Sequence, residues 1–249
     1  MDGGAAKRIA VLCVAPPTTR VLEIGPGTGA LTASLVAHGA SVTAVEIDHD
    51  MIEILRERAD LEAVTLVEAD ALAFDYAAYA RDGAWCAAGN LPYNIATPLL
   101  TTWLQLPMPP ARIVVMVQRE VADRLAANPS SAAYGSLTVF CRYFASVRRA
   151  FTLGPGVFYP RPNVDSAVVV LEPHAIPPVT VRDRAFFLQV VRGAFAYRRK
   201  TLANSLLLAL DIDRARTQAA LAALDIDSEI RAEQLDLVAF GAVADVLAP

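Results

Sequence analysis

Arg20-Val-Leu-Glu-Ile-Gly-Pro-Gly-Thr-Gly-Ala-Leu31 is the stretch that decides the fold. Val21 to Ile24 read as a short buried strand, bounded by Pro16-Pro17 on one side and by glycine on the other. Gly25, Gly27 and Gly29 make a tight turn, and the sequence from Thr28 reads as a helix with apolar residues at Leu31, Leu35 and Val36. Glycine lets the backbone pass close to a ligand, and the start of a helix offers free N–H groups. Strand, glycine turn and helix in that order make a cradle for a nucleotide-type cofactor. The spacing is G-x-G-x-G, whereas a dinucleotide site has G-x-G-x-x-G. Ala30 stands where the third glycine of that pattern belongs, a place where alanine is sometimes accepted. Glu23 sits badly beside a pyrophosphate. It suits a cofactor with positive charge, such as the ammonium or sulfonium of S-adenosylmethionine.

Working outward, a second strand, Ser41-Val-Thr-Ala-Val45, ends in Glu46, an acid placed to accept both hydroxyls of a ribose. Val64 to Val67 form a third strand running into Asp70, and Trp85 to Ala88 a fourth running into Gly89-Asn-Leu-Pro-Tyr-Asn94. Ile113 to Val117 form a fifth. Helices are expected over residues 4–14, His49–Ala59, Ile95–Leu106 and Gln118–Ala127. Strands alternating with helices give an α/β, Rossmann-like, doubly wound and mostly parallel sheet. Ligands in that architecture sit at the carboxyl ends of the strands, where Glu46, Asp70 and Asn90 converge. Tyr134–Phe144 and Val147–Phe151 are mixed in character. Val157–Ser166 is a proline-rigid loop leading into a strand over Ala167–Leu171, and Glu172–Thr180, with three prolines, reads as a linker. Asp183–Leu210, 213–224 and 236–247 read as helices. The expected division is a catalytic domain over 1–174 and a small helical domain over 175–249.

The 249 residues are 55% hydrophobic, enough for a large core, yet no apolar run approaches the ~20 residues of a membrane span. Nor does the N-terminus carry the long apolar core of a signal peptide. Cys13, Cys86 and Cys141 fit neither a zinc spacing nor a disulfide framework, so buried thiols in a reducing cytoplasm and no metal are expected. Net charge is −4, which argues against a simple nucleic-acid binder, but its distribution is uneven. Residues 1–111 carry −7, residues 112–200 carry +8 and residues 201–249 carry −5. A basic block between acidic ends is the footprint of a face that meets phosphates, with chance clustering of arginine as the plain alternative.

Asn90-Leu-Pro-Tyr93 carries the chemistry. A carboxamide oxygen accepts a hydrogen bond from an exocyclic amine, and the Leu91 carbonyl, fixed by Pro92, accepts a second. Tyr93 offers a ring for a base to stack on. Two acceptors on an adenine N6 amine favour its pyramidal form and aim its lone pair at a methyl donor. Positioning then does most of the catalysis and no strong base is needed. A plain strand-to-helix turn is the alternative.

These residues carry a resemblance. Asn90-Leu-Pro-Tyr93 is similar to motif IV of N6-adenine methyltransferases. Together with Glu23–Thr32, Val45-Glu-Ile-Asp48 and Phe158-Tyr-Pro-Arg-Pro-Asn-Val-Asp-Ser166, the chain resembles the ribosomal RNA small-subunit adenine dimethyltransferase family of the KsgA type, from about Asp2 to the C-terminus. The resemblance implies S-adenosyl-L-methionine as methyl donor. It implies as substrate two adjacent adenosines in the 3′-terminal hairpin of 16S rRNA, converted to N6,N6-dimethyladenosine on an immature 30S subunit. It also implies that Gly25, Gly27 and Gly29, with Glu23, hold the methionine part of the cofactor. Glu46 and Ile47 would hold its ribose side, and Asp70 and Ala71 its adenine. Asn90, Leu91, Pro92 and Tyr93 would hold the target base, with Phe158 as a second plate, and Asn90 would also contact the cofactor. A base must leave its stack for its N6 amine to reach the donor.

Ala194-Phe-Ala-Tyr-Arg-Arg-Lys-Thr-Leu-Ala-Asn204 resembles a C-terminal segment of the family and marks Arg198, Arg199 and Lys200, read as helical, for RNA contact. Arg148, Arg149 and Arg161 are further candidates. A monomer in the cytoplasm is the implied state. The family's Gln-Asn-Phe-Leu-like segment before an Asp is absent, because Met1 directly precedes Asp2, and weakened cofactor or substrate binding is expected from that. Two rivals stand beside this reading. One is the Erm type acting on large-subunit rRNA, and the other is a non-catalytic assembly factor on the same fold. An NAD oxidoreductase is disfavoured by the glycine spacing and Glu23.

Overall fold

Among the described residues seven strands form one sheet in the order β3-β2-β1-β4-β5-β7-β6. They are β1 Arg20–Ile24, β2 Ser41–Glu46, β3 Thr65–Glu68, β4 Cys86–Asn90, β5 Arg112–Gln118, β6 Ala145–Leu153 and β7 Ser166–Pro173. The computed structural model describes all residues except 15–18, 159, 160 and 162, so Pro16-Pro17 and part of the proline-rigid loop lie outside it. β1 to β5 pair in parallel, and β7 runs antiparallel between β5 and β6. The central strands are buried nearly end to end, as continuous apolar runs must be when helices cover both faces.

One face of the sheet is covered by α1 Gly3–Cys13 and α2 Ala30–Ala37, over a core that includes Ile9, Leu35, Val21, Met116, Val168 and Val170. The helices α3 His49–Arg56, α4 Tyr76–Ala80, α5 Tyr93–Gln105 and α6 Arg119–Leu125 follow β2 to β5 in turn. Trp85 and Trp103 are fully buried, and Tyr76 lies within ring-contact distance of both. Cys13, Cys86 and Cys141 are free and buried, as expected.

Several boundaries differ from the expectation. The second helix starts at Ala30 because Gly29, with φ of 82°, is its cap. α5 starts at Tyr93, two residues early, because Pro92 supplies the entry and accepts from the Ile95 and Ala96 amides. The mixed stretch before residue 153 resolves into a helix, α7 Ser136–Phe144, that passes directly into β6.

The chain forms two compact units, Met1–Ala122 with Ala145–Pro173, and Asp123–Phe144 with His174–Pro249. A single cut after residue 174 therefore misses that Asp123–Phe144 belongs with the C-terminal helices. The reason is tertiary: Tyr134, Val139 and Tyr143 share an apolar core with Phe187, Leu202 and Phe240. That unit holds α8 Arg184–Ala194, α9 Leu202–Leu210, α10 Arg214–Ala223 and α11 Leu237–Leu247. Asp183, Thr201, Asp213 and Asp236 cap them, each accepting a backbone amide of the first turn. Such caps stabilise a helix by about 1 kcal/mol each. Part of the acidic excess of residues 201–249 is thus capping chemistry.

Candidate active site

The carboxyl ends of the strands bring the expected residues into one row. In spatial order it runs Asp70 after β3, Glu46 on β2, the Gly25–Gly29 turn after β1, Asn90 on β4 and Gln118 on β5. Neighbouring strands lie about 4.8 Å apart, so the row from Asp70 to Asn90 crosses about 14 Å. The glycine turn is fixed from two sides. Glu46 Oε2 accepts from the Gly27 amide at 3.2 Å, while its Oε1 accepts from the Ile47 and Asp48 amides at 2.9 and 3.1 Å. Arg58 donates to the Thr28 carbonyl at 2.7 Å, and Leu55 and Leu61 pack so near Gly29 that a Cβ there would fall 2.7 Å from Leu55. At Gly25 and Gly27, both at positive φ, a Cβ would meet nothing within 4 Å, so the turn leaves open room above it. Asp70 Oδ1 accepts from the Leu72 amide at 2.8 Å, and Tyr76 ties down the Ala71 carbonyl at 2.6 Å. Ile47 stands exposed beside Glu46.

Glu23 is buried, and its Oε2 has no hydrogen-bond partner among the described residues; nor does the buried Thr32 hydroxyl. Burial pushes the Glu23 carboxyl up to about 7; nearby Thr32 opposes the rise and the Glu46 charge adds to it. In the unfolded chain this carboxyl ionises near 4.5, and in the folded chain near 7. The folded state therefore holds the proton longer. The stability this gives is complete below about pH 4.5 and is lost as pH rises to about 7. The full loss is roughly 3 kcal/mol. Glu23→Gln is accordingly expected to be more stable than the parent at pH 8, with the gap closing towards pH 5. Denaturant unfolding at pH 5, 6.5 and 8 checks it, and a pH-independent gap would refute the assignment to this carboxyl.

A cleft of about 400 Å³ opens in the sheet unit, lined by Glu23, Gly25 and Gly27 on one side and by Asn90, Leu91, Pro92, Tyr93 and Phe158 on another. Glu46, Ile47, Asp70 and Ala71 lie along the row but do not line this cleft. Among the described residues, neither the Asn90 carboxamide nor the Leu91 carbonyl has a hydrogen-bond partner, while the Leu91 amide is anchored to the Met116 carbonyl at 2.9 Å. Two acceptors are thus held on a fixed backbone with lone pairs to offer. Tyr93 is half exposed, and Phe158 is half-buried at the end of the turn after β6. The loop before β7 is tied to the end of β5 by the Arg119 amide on the Asp165 carbonyl at 2.9 Å and by an Arg119–Asp165 ion pair.

Gln118, Val164 and Ser166 also line the cleft. By sequence alone Gln118 falls at the start of the next helix. The signal for it was present: it is a polar residue at the carboxyl end of a buried strand, as Asn90 is.

The cationic candidates are distributed over both units. Arg148 and Arg149 are exposed on β6, and Arg161 is exposed in the loop before β7. Arg198, Arg199 and Lys200 are exposed, but they lie in a turn between α8 and α9, a correction to the expected helix. Ser205 is the cause of the break: its hydroxyl donates to the Gly193 carbonyl at 2.8 Å and accepts from the Tyr197 amide at 3.3 Å, closing the chain before Thr201 restarts the helix. Arg198 donates to the Ala132 carbonyl at 3.0 Å. No helix among the described residues is long and apolar enough to cross a membrane.

A five-strand parallel run closed by an antiparallel β7, with a glycine turn after β1 and an acid on β2, is the build of a class I methyltransferase. Solved structures agree on the fold. A dimethyladenosine transferase of Plasmodium falciparum superposes with a TM-score of 0.80 at 24% identity, covering 97% of this chain and 94% of that one. The 23S rRNA methyltransferase ErmE superposes with a TM-score of 0.75 at 25% identity, covering 100% and 99%. Residues 4–247 match the ribosomal RNA adenine dimethylase family, and the chain belongs to that family. It is 44% identical to the ribosomal RNA small subunit methyltransferase A of Hahella chejuensis, over 98% of this chain and 88% of that protein. It is 41% identical to the protein of that name from Pseudomonas aeruginosa, over 99% and 91%.

Proposed function

We propose that the protein transfers methyl groups from S-adenosyl-L-methionine to the N6 amines of two adjacent adenosines in the 3′-terminal hairpin of 16S rRNA, on the immature 30S subunit, giving N6,N6-dimethyladenosine. One observation carries the reading: the Asn90 and Leu91 acceptors, without hydrogen-bond partners among the described residues, share a cleft with the open glycine turn and the buried Glu23, whose Oε2 likewise has none among them. The family match supports it, and the small-subunit name of the relatives above favours it over an Erm-type activity.

The residues fit the cofactor on their own chemistry. The buried Glu23 Oε2, with no hydrogen-bond partner among the described residues, suits a cationic group, and the turn has room where a Cβ would stand. Glu23 with Gly25, Gly27 and Gly29 would hold the methionine end, Glu46 and Ile47 the ribose side, and Asp70 with Ala71 the adenine. A carboxylate has about four acceptor sites, and three amides on Glu46 leave capacity for a hydroxyl. When bound, the cofactor supplies an electrophilic methyl group on a sulfonium.

The remaining work belongs to the protein. In the first transfer Asn90 and Leu91 accept from the two N6 hydrogens and fix the amine's direction; in the second, one acceptor holds the single N6–H that remains. Each transfer releases one N6 proton to solvent, and Pro92 fixes the Leu91 carbonyl. Tyr93 and Phe158 give the extruded base two ring faces, offsetting the stacking it has lost. Positioning of this kind contributes most of the barrier reduction in a displacement between two held partners. Arg198, Arg199 and Lys200 on the helical unit, with Arg148, Arg149 and Arg161 on the sheet unit, supply phosphate contacts. The protein works as a monomer in the cytoplasm.

Purified protein, labelled cofactor and small subunits lacking the mark test the reading. N6,N6-dimethyladenosine in the digested rRNA is the expected product. Binding without any methylated adenosine would leave a non-catalytic assembly factor.

A further inference from the structure

A second concavity, of about 410 Å³, lies in the sheet unit between α1 and β6. Lys7, Arg8 and Val11 line it from the helix, and Arg148, Ala150 and Phe151 line it from the strand. Helical spacing puts Lys7, Arg8 and Val11 along one flank of α1, while Ala6, Ile9, Ala10 and Cys13 are buried. The strand side depends on a bulge. Arg148 pairs with Val170, but Phe151 pairs with Val168, because the register shifts between Arg149 and Phe151. Val168 and Val170 both belong to the core under α1. The extra residue thus turns Phe151 onto the same face as Arg148, where alternation would have turned it away. The Arg8 guanidinium lies over the Phe151 ring, 3.7 Å from its centre.

Among the described residues no aspartate or glutamate lines the groove, and Lys7, Arg8 and Arg148 make no ion pair. Charges on an edge strand commonly serve to block pairing with another sheet. That accounts for Arg148 but not for two cations on the helix opposite, nor for the stacked guanidinium and ring. Three cations that make no ion pair among the described residues, around an apolar floor, match a chain of phosphates carrying flat bases. The groove and the cleft share no lining residue, but the chain leads from one to the other at both walls. The chain after β6 reaches Phe158 through a short turn, the Asp2 amide before α1 donates to the Val157 carbonyl at 2.7 Å, and Met1 and Phe158 line the cleft.

We propose that this groove is a second RNA site, resting on the rRNA reading above. Lys7, Arg8 and Arg148 take backbone phosphates of the strand that flanks the target adenosines, and an unpaired base lies against the Arg8–Phe151 plate.

The test is the salt dependence of binding between the full chain and labelled, unmethylated small subunits. Each lost phosphate contact lowers the slope of log K against log salt by about 0.7–0.9. The triple variant Lys7→Gln, Arg8→Gln, Arg148→Gln is expected to lose about 2 from that slope. The double variant Lys7→Gln, Arg148→Gln, which leaves the Arg8–Phe151 stack in place, is expected to lose about 1.5. Slopes equal to the parent's in both variants overturn the site. Methyl transfer by the parent protein is measured on the same subunits. Transfer with unchanged slopes sinks the groove alone, and changed slopes without transfer sink the enzyme reading while keeping the groove.

Discussion

Asn90→Ala is expected to slow methyl transfer about 10²–10³-fold, the usual effect of removing one fixed hydrogen-bonding group from a reacting centre. The side chain is exposed at the end of β4 and has no hydrogen-bond partner among the described residues. Its loss should therefore change stability by less than about 0.5 kcal/mol. A large kinetic effect without a stability effect separates a group that acts on the substrate from one that holds the turn. Asn90→Asp refines the point. Aspartate keeps an acceptor oxygen at the same reach but has no N–H₂ to donate. If Asn90 acts as an acceptor, the aspartate variant retains clearly more activity than the alanine variant. Equal losses would mean that the amide's donor side matters, and the proposed hold on the N6 amine would fail. Single-turnover rates on unmethylated subunits, with melting curves of each variant, decide it.

Gly89→Ala is expected to cost about 3 kcal/mol or more, the upper range for overpacking, because the obstacle is backbone. Gly89 pairs with Ile24 across β1 and β4, and an added Cβ would run into the Ile24 carbonyl oxygen at a distance no real Cβ adopts. Neither strand can yield, since β1 and β4 sit at the middle of the sheet and each is paired on both edges. Gly27→Ala is the control. It meets open space and bears only the backbone penalty of its φ of 54°, about 1–2 kcal/mol, although it fills the room above the turn. Denaturant unfolding of both variants should therefore rank them with Gly89 far the worse. Similar losses would mean that the approach of β4 to β1 is looser than described.

Much of this was legible because the parallel strands announce themselves. Val21–Ile24, apolar but for Glu23, and Ile113–Val117 are short runs that a sheet covered on both faces buries, the first running into the glycine turn and the second into Gln118 at the ligand edge. The site residues on β1, β2 and β4 could be read for that reason. Four things were hidden. β6 carries Arg148 and Arg149 on an edge and a bulge, so its alternation is broken and it does not look like a strand. α4 has five residues, fewer than two turns, too short for a periodic signal. The membership of Asp123–Phe144 in the helical unit depends on contacts of Tyr134 and Tyr143 with residues far along the chain, which no local pattern records. The turn at Arg198–Lys200 was hidden too, because the hydroxyl that breaks the helix, on Ser205, lies after the break.

The carboxylate of Glu46 bears on when order is acquired. By accepting from the Gly27 amide, it joins the tip of the glycine turn to the end of β2, nineteen residues along the chain. Conformational freedom that a loose loop would surrender upon meeting its ligand has already been surrendered in folding. Binding free energy then need not be diverted to arranging the loop, and affinity depends chiefly on the contacts made. The same acid thereby sets the shape of the cradle as well as part of its chemistry, so its removal would act on both at once.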